Sequence, residues 1–282
     1  MSKLMIVPEK PCYIAGAAAL PLSAAEPDYK PVITDANLRR RMGRLLKMSV
    51  YCGLQALGDV ASEEVAGIVT FTGMGFMKDT VSFGNSIYDR DEELLNPSPF
   101  MQSTFNTASG YIALIRKIRS YNTTYVQHAS GFMASFADAV MLLYEHPGQH
   151  VLVGGFDEIT PEVDALRRRL ELYRADNDGF MPLGEGAGAL LLSSVGGSAR
   201  ILGMAPASCP VDEFVSACCG HGTVCDTVRC SSLVSEYGAF GSMLPVIIAD
   251  RLSTNGSCPM TLYVDDVNPD GVMTLISNDI AL

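Results

Sequence analysis

A layered α/β fold, with helices packed on both faces of a mainly parallel central sheet, is what this sequence predicts. Three observations carry that expectation. Short apolar, β-branched runs alternate with stretches of helical periodicity along most of the chain. Hydrophobic residues make up 48% and charged residues 18% of the 282, the balance of a protein with a large buried core. Glycine and proline punctuate the junctions, as at Gly73 and Gly75, Pro147-Gly148 and Gly196-Gly197.

The elements follow in order. Pro11 to Ala18 reads as an opening strand. Asp35 is placed to cap a helix running to about Leu57, with Leu38, Met42, Leu45 and Leu46 along one face. Ala66 to Thr72 is a buried strand that ends in the turn at Gly73 and Gly75. Phe76 to Pro99 is a mixed loop and helix region, acidic and exposed, and a helix follows from Thr107 to Arg119. Next come a strand at Thr123 to Gln127, a sharp turn at His128 to Gly131 and a helix from Phe132 to Tyr144. His150 to Gly154 has the β-branched character of a central strand. A helix at Pro161 to Arg174 leads to the glycine-rich Gly184 to Gly188 and a strand at Ala189 to Leu192. The remainder is briefer. It has a strand near Arg200 to Met204, a Cys-rich stretch from Cys209 to Cys230, a helix at Gly241 to Leu252 and a strand pair within Met260 to Ser277.

A net charge of −11 argues against gripping nucleic acid phosphates and against docking on anionic membranes. The basic clusters Arg39 to Arg41 and Arg167 to Arg169 fall in helical patterns and read as solvated faces. Pro8, Glu9 and Pro21 interrupt the apolar start, against a signal peptide, and no run has the length of a membrane span. Eight cysteines without a regular framework suit a reduced, cytoplasmic protein. Cys218, Cys219, His221, Cys225 and Cys230 lack paired C-x₂-C spacing, so they read as small buried hydrophobes, and no metal or other cofactor is expected.

The strand, tight turn and helix around residue 128 have the geometry of a nucleophile elbow. Its tip is exposed, and the following helix offers N–H groups and a dipole that stabilise an anion. A cysteine there would be a good acyl acceptor. In the segment Val126-Gln127-His128-Ala129-Ser130-Gly131-Phe132 the sequence resembles the ketoacyl-synthase (thiolase-like) family, with His128 where that family's cysteine belongs. Ser98-Pro99-Phe100 with Ser103-Thr104, Val151 to Glu158 (VLVGGFDE) and Asp176 to Gly188 (DNDGFMPLGEGAG) are similar to further family segments, in the family's order, across residues 11 to 195. The resemblance implies a thiolase-like layered αβαβα fold with an N-terminal half over residues 1–195. A shortened C-terminal half, residues 196–282, packs with it as one globular unit.

The second half departs from the family pattern. His221-Gly222-Thr223 looks like a remnant of the first histidine motif, and Ser235 or Glu236 stands where the second histidine is expected. Val267 to Leu275 lacks the family's glycine-rich gate. Claisen condensation needs a thiolate to hold the acyl chain and histidines to polarise the developing enolate, and losing several members of such a unit leaves little rate enhancement. The resemblance therefore implies no catalytic residues and a non-condensing subunit of chain-length-factor type, as in bacterial aryl polyene pathways. Its partner would be an active ketosynthase in a heterodimer, with a homodimer when that partner is absent, and an acyl carrier protein would dock mainly on the partner. Gln127, His128, Phe132, Met133 and Phe136 are the residues expected at the acyl tunnel or interface.

Other readings stand beside this one. His128 also reads as a structural residue bonded within its turn, and the Phe and Met positions as ordinary core. Asp157 and Glu158 read as turn and cap residues, because neighbours at a strand end point apart. A stand-alone acyltransferase or thioesterase would use His128 or a relocated Cys225, and a pure acyl-chain binding module would need no chemistry.

Overall fold

The structure is a computed structural model that describes residues 4–175, 179–254 and 260–278. Among the described residues nine strands form one continuous sheet: β1 (Cys12–Pro21), β2 (Val65–Thr72), β3 (Tyr121–Val126), β4 (His150–Asp157), β5 (Gly186–Ser193), β6 (Ala199–Pro206), β7 (Asp226–Arg229), β8 (Met260–Val264) and β9 (Val272–Ser277). Their spatial order is β3-β2-β4-β5-β1-β6-β9-β8-β7. The helices are α1 (Ala36–Arg41), α2 (Arg44–Leu57), α3 (Met77–Asp89), α4 (Pro97–Ser103), α5 (Thr107–Arg116), α6 (Gly131–Glu145), α7 (Pro161–Arg169), α8 (Val211–Cys219), α9 (Val234–Tyr237) and α10 (Met243–Thr254). Among the described residues no helix is long and apolar enough to cross a membrane.

β1 joins the two parts of the sheet. Along most of its length it pairs with β5, while Cys12 to Ile14 also pair with Ala199 to Ile201 of β6. Five layers result. The α2 and α5 side chains Leu45, Leu46, Val50 and Ile112 pack on Ile68, Leu152 and Leu191, one face of the first part of the sheet. Its other face meets Phe132 and Phe136 of α6 and Val246 and Ile247 of α10. Those two helices also bury Ile201, Met204 and Ile276 from the second part. Phe214 and Val215 of α8 close the far side against Leu202, Leu262 and Leu275. Buried apolar side chains on both faces of β2, β4 and β5 are what a central strand requires. The layered αβαβα architecture expected from the sequence is the one found.

The expectation of a mainly parallel sheet fails. Of the eight strand pairings among the described residues, only β2 with β3, β2 with β4 and β7 with β8 are parallel. For β4 and β5 the reason lies in α7. Asp157 at the end of β4 sits opposite Gly186 at the start of β5, so the chain leaves and returns at the same end of the sheet. α7 buries only Val163 and Arg167 and has no apolar stripe with which to cross a sheet face.

Three helices end earlier than their periodicity suggests: α7, expected to reach Arg174, stops at Arg169 with Leu170 as its cap, and the first helix and α5 are also cut short. Asp35 does cap α1, accepting the N–H groups of Asn37 and Leu38 at 2.8 and 3.0 Å. The single helix expected to Leu57 nevertheless breaks at Met42-Gly43, where Gln102 accepts the Gly43 N–H at 2.9 Å and donates to the Arg41 carbonyl. α5 stops at Arg116 because Lys117 turns into the left-handed region at φ 58°.

Candidate functional site

β3 delivers the chain to the elbow, and α6 leads away from it. Gln127 leaves the strand at φ −140° and ψ 34°, and His128 adopts φ 49°, a left-handed conformation that a non-glycine residue takes only when its surroundings hold it. A 3₁₀ turn over His128–Ser130 then passes directly into α6. Gly131 allows this junction to pack on the sheet, since a Cβ there would lie 2.9 Å from Cδ2 of Phe71. At Gly241 an added Cβ would come within 3.4 Å of His128 Cδ2, so the chain entering α10 also lies against the elbow.

Both ring nitrogens of His128 have partners. Nδ1 lies 2.8 Å from Oδ1 of Asp270, in the loop between β8 and β9, and Nε2 lies 2.8 Å from the Tyr173 hydroxyl. The other Asp270 oxygen accepts the Ser130 N–H at 2.9 Å. Burial alone would push the imidazole pKa down, but the hydrogen bond and charge of Asp270, with the charges of Asp157 and Asp265, outweigh it and raise the pKa. Burial works against the Asp270 carboxylate as well, yet His128 and the Ser130 N–H bring its pKa down to about 2. Asp265 is enclosed, and burial raises its pKa to about 6 against the N–H groups of Val267 and Asn268 that it accepts. Burial, followed by the nearby carboxylates, raises Tyr173 and keeps its phenol protonated.

A shallow apolar groove of about 480 Å³ runs beside the elbow. One wall is the Met133, Ala134 and Ala137 stripe of α6, and the other is formed by Pro206 and the loop from Pro269 to Val272. Gln127, Ser130 and Asp270 also line it.

The residues singled out from the sequence do not all meet. His128 is at the tip of the elbow, and Gln127 and Met133 line the groove. Phe132 and Phe136 do not line it: they are 1% and 0% exposed, and Phe132 stacks on Phe71 with ring centroids 5.8 Å apart. Their helical spacing faces the sheet, whereas Met133 is one step round toward the opening. Ser235 and Glu236 are exposed on α9, where Glu236 pairs with Arg251 at 3.6 Å, and it is Gly241 that reaches His128. His221 lies on the loop between α8 and β7, bonded to Ser216 Oγ at 2.9 Å. It shares a hollow of about 390 Å³ with Cys225, whose thiol pKa burial raises, leaving a poor nucleophile away from the start of α6. Among the described residues no cluster of His, Cys, Asp and Glu has the geometry to hold a metal ion. Asp157 is a cap, as its strand-end position suggests: its carboxylate accepts Thr72 Oγ1 at 3.0 Å and the Gly73 and Ser242 N–H groups at 2.9 Å. Of the segment Asp176 to Gly188, residues 176–178 lie outside the described residues. Asp270 and Tyr173 were not visible as site residues, because they stand 142 and 45 positions from His128 and carry no motif of their own.

The family model of the beta-ketoacyl synthase N-terminal domain matches residues 17–169, more than half of the chain. The chain belongs to the beta-ketoacyl synthase family. No curated protein sequence matches it. Solved structures of the same fold include the ishigamide ketosynthase/chain length factor, at 16% identity and a TM-score of 0.69, over 94% of this chain and 98% of that one. They also include AntDE:AntF, a type II polyketide synthase acyl-carrier protein in complex with its ketosynthase bound to the hexaketide. Its identity is 14% and its TM-score 0.70, over 95% and 99% of the two chains. A third is the ketosynthase ApeO in complex with its chain length factor ApeC from Xenorhabdus doucetiae, at 14% identity, a TM-score of 0.56 and coverage of 95% and 99%. The elbow of this chain carries an imidazole held on both sides. Acyl transfer to Nε2 would have to displace Tyr173, and transfer to Nδ1 would have to displace Asp270.

Proposed function

We propose that this chain is a non-condensing, chain-length-factor-type subunit that pairs with an active ketosynthase and shapes its acyl path in polyene or fatty acid biosynthesis. The observation that carries the reading is the elbow residue: His128 has no sulfur to hold an acyl group, and neither ring nitrogen is free. The pairing surface on this reading is β3. It is one of the two edge strands of the sheet among the described residues, and Tyr121 and Val126 are 44% and 40% exposed along it. Leu114 of α5 and Met141 of α6, on the two helices that touch β3, are exposed as well. A ketosynthase strand added there would cover both the unpaired backbone and these side chains. The −11 charge favours docking of an acidic carrier protein on the ketosynthase rather than here. A cytoplasmic site of action belongs to the same proposal.

The test is reconstitution. Co-expressed with an intact ketosynthase, the chain should co-purify as a heterodimer that extends malonyl units on a carrier protein, while the chain alone forms no carbon–carbon bond. Condensation by the lone chain, or failure to pair with any ketosynthase, would overturn the proposal. A second reading, an acyl-chain binding module, draws support from the apolar groove along α6. Tight binding of a fluorescent fatty acid by the monomer, with no ketosynthase pairing, would favour it.

A further inference from the structure

The histidine at the elbow does more than remove a nucleophile. Asp270 reaches it from the loop between β8 and β9, 142 positions away in sequence, and one carboxylate bridges the His128 ring and the Ser130 N–H. That N–H belongs to the turn feeding α6, a helix of 15 residues, where an anion in an elbow of this geometry is otherwise received. Tyr173 holds the opposite edge of the ring, with its own ring stacked at 5.9 Å. The same loop, from Pro269 to Val272, forms one wall of the apolar groove, which Ser130 and Asp270 also line.

We infer that His128, Asp270 and Tyr173 form a latch: the chain seats its own carboxylate in the anion position of the elbow and fastens the β8–β9 loop against the elbow as one wall of the groove. The substitution at 128 and the aspartate at 270 then work as a pair. A cysteine at the tip could not bridge to Asp270 and Tyr173 together, and without the carboxylate the Ser130 N–H would face open space. The charged groups packed around the ring are Asp270 on its loop, Asp157 at the end of β4 and Asp265 at the end of β8, with the Tyr173 hydroxyl as the neutral partner. An imidazolium balances this acidic surround, so the latch holds most firmly when His128 is protonated. A closed elbow follows whether or not a ketosynthase partner exists.

The four histidines of the chain provide an internal comparison. Diethyl pyrocarbonate, with the modified residues read by peptide mass spectrometry, should reach exposed His146 and His221 at least tenfold faster than His128 in the full-length protein. In D270N the His128 rate should rise at least tenfold relative to those two, and hydrogen exchange in residues 266–271 should accelerate while that of α10 does not. A wild-type His128 that reacts as fast as His146 overturns the inference, as does a folded D270N with unchanged rates. If D270N does not fold, wild-type exchange decides. Protection of residues 266–271, corrected for intrinsic rates, must fall as His128 deprotonates, and constant protection sinks the latch.

Discussion

The Asp157 carboxylate at the end of β4 accepts the Ser242 N–H at 2.9 Å and thereby fixes the entry to α10 against the turn that follows β2. Its other oxygen takes the Thr72 hydroxyl and the Gly73 and Met74 N–H groups at 3.0, 2.9 and 3.0 Å. One buried side chain thus joins three chain segments that converge on the elbow.

Asp157→Ala is expected to destabilise the fold by at least about 3 kcal/mol, since a buried donor left without its acceptor costs about 1–3 kcal/mol and several would be orphaned at once. Urea unfolding measures it. A loss below about 1 kcal/mol would show that water takes the place of the carboxylate.

Stability should be greatest in mildly acid solution. The folded pKa of His128 lies above its unfolded value of 6.5, so its contribution is complete below that value and is lost as pH rises through the folded one. Asp265, raised from 3.8 to about 6 by burial, acts in the same sense, because ionising it inside the fold becomes a growing cost across that range. Asp270, lowered from 3.8 to about 2, contributes above 3.8 and is lost toward pH 2. The thermal midpoint should therefore peak at about pH 4, decline as Asp265 ionises toward pH 6, and decline further toward about pH 8 as His128 loses its proton. His128→Gln should flatten the decline above pH 6.5; a slope identical to wild type would remove His128 as its cause.

Phe136→Ala and Met133→Ala separate core from groove. Phe136 is 0% exposed within the layer between the two parts of the sheet, and its truncation should cost about 3–5 kcal/mol. Met133 lines the groove, so its replacement should cost less while altering binding of an apolar probe such as a fluorescent fatty acid. Equal losses of stability with no change in probe binding would refute this division.

What the sequence revealed and what it hid follow from separation along the chain. The strand, turn and helix around His128 are contiguous, so their periodicity and glycines disclosed the elbow directly. Thr72 and Asp157 likewise end strands whose apolar runs were plain. The break at Gly43 depends on Gln102, 59 residues away, and the helical pattern on either side of it concealed the interruption. The antiparallel turn from β4 into β5 is hidden for a related reason: α7 has helical spacing but lacks the apolar face that a true crossover needs. The clamp on His128 was invisible because Tyr173 and Asp270 become neighbours only once the whole sheet has closed around α6.

The edge of β3 supplies the last prediction. An unpaired strand edge bearing exposed Tyr121 and Val126 invites a second chain, and a lysine on such an edge is a common natural means of preventing that pairing. Tyr121→Lys is unsuited to the test, because the Tyr121 hydroxyl donates to Asp138 at 2.9 Å and its loss would disturb α6. Val126→Lys avoids this, since the side chain is exposed where the strand ends. The monomer should keep its stability to within about 0.5 kcal/mol, as expected for a surface change. Co-purification with a ketosynthase should fall at least tenfold, because an ammonium group would be trapped in an otherwise apolar contact. Undiminished pairing of a stably folded Val126→Lys would move the partner surface elsewhere on the chain.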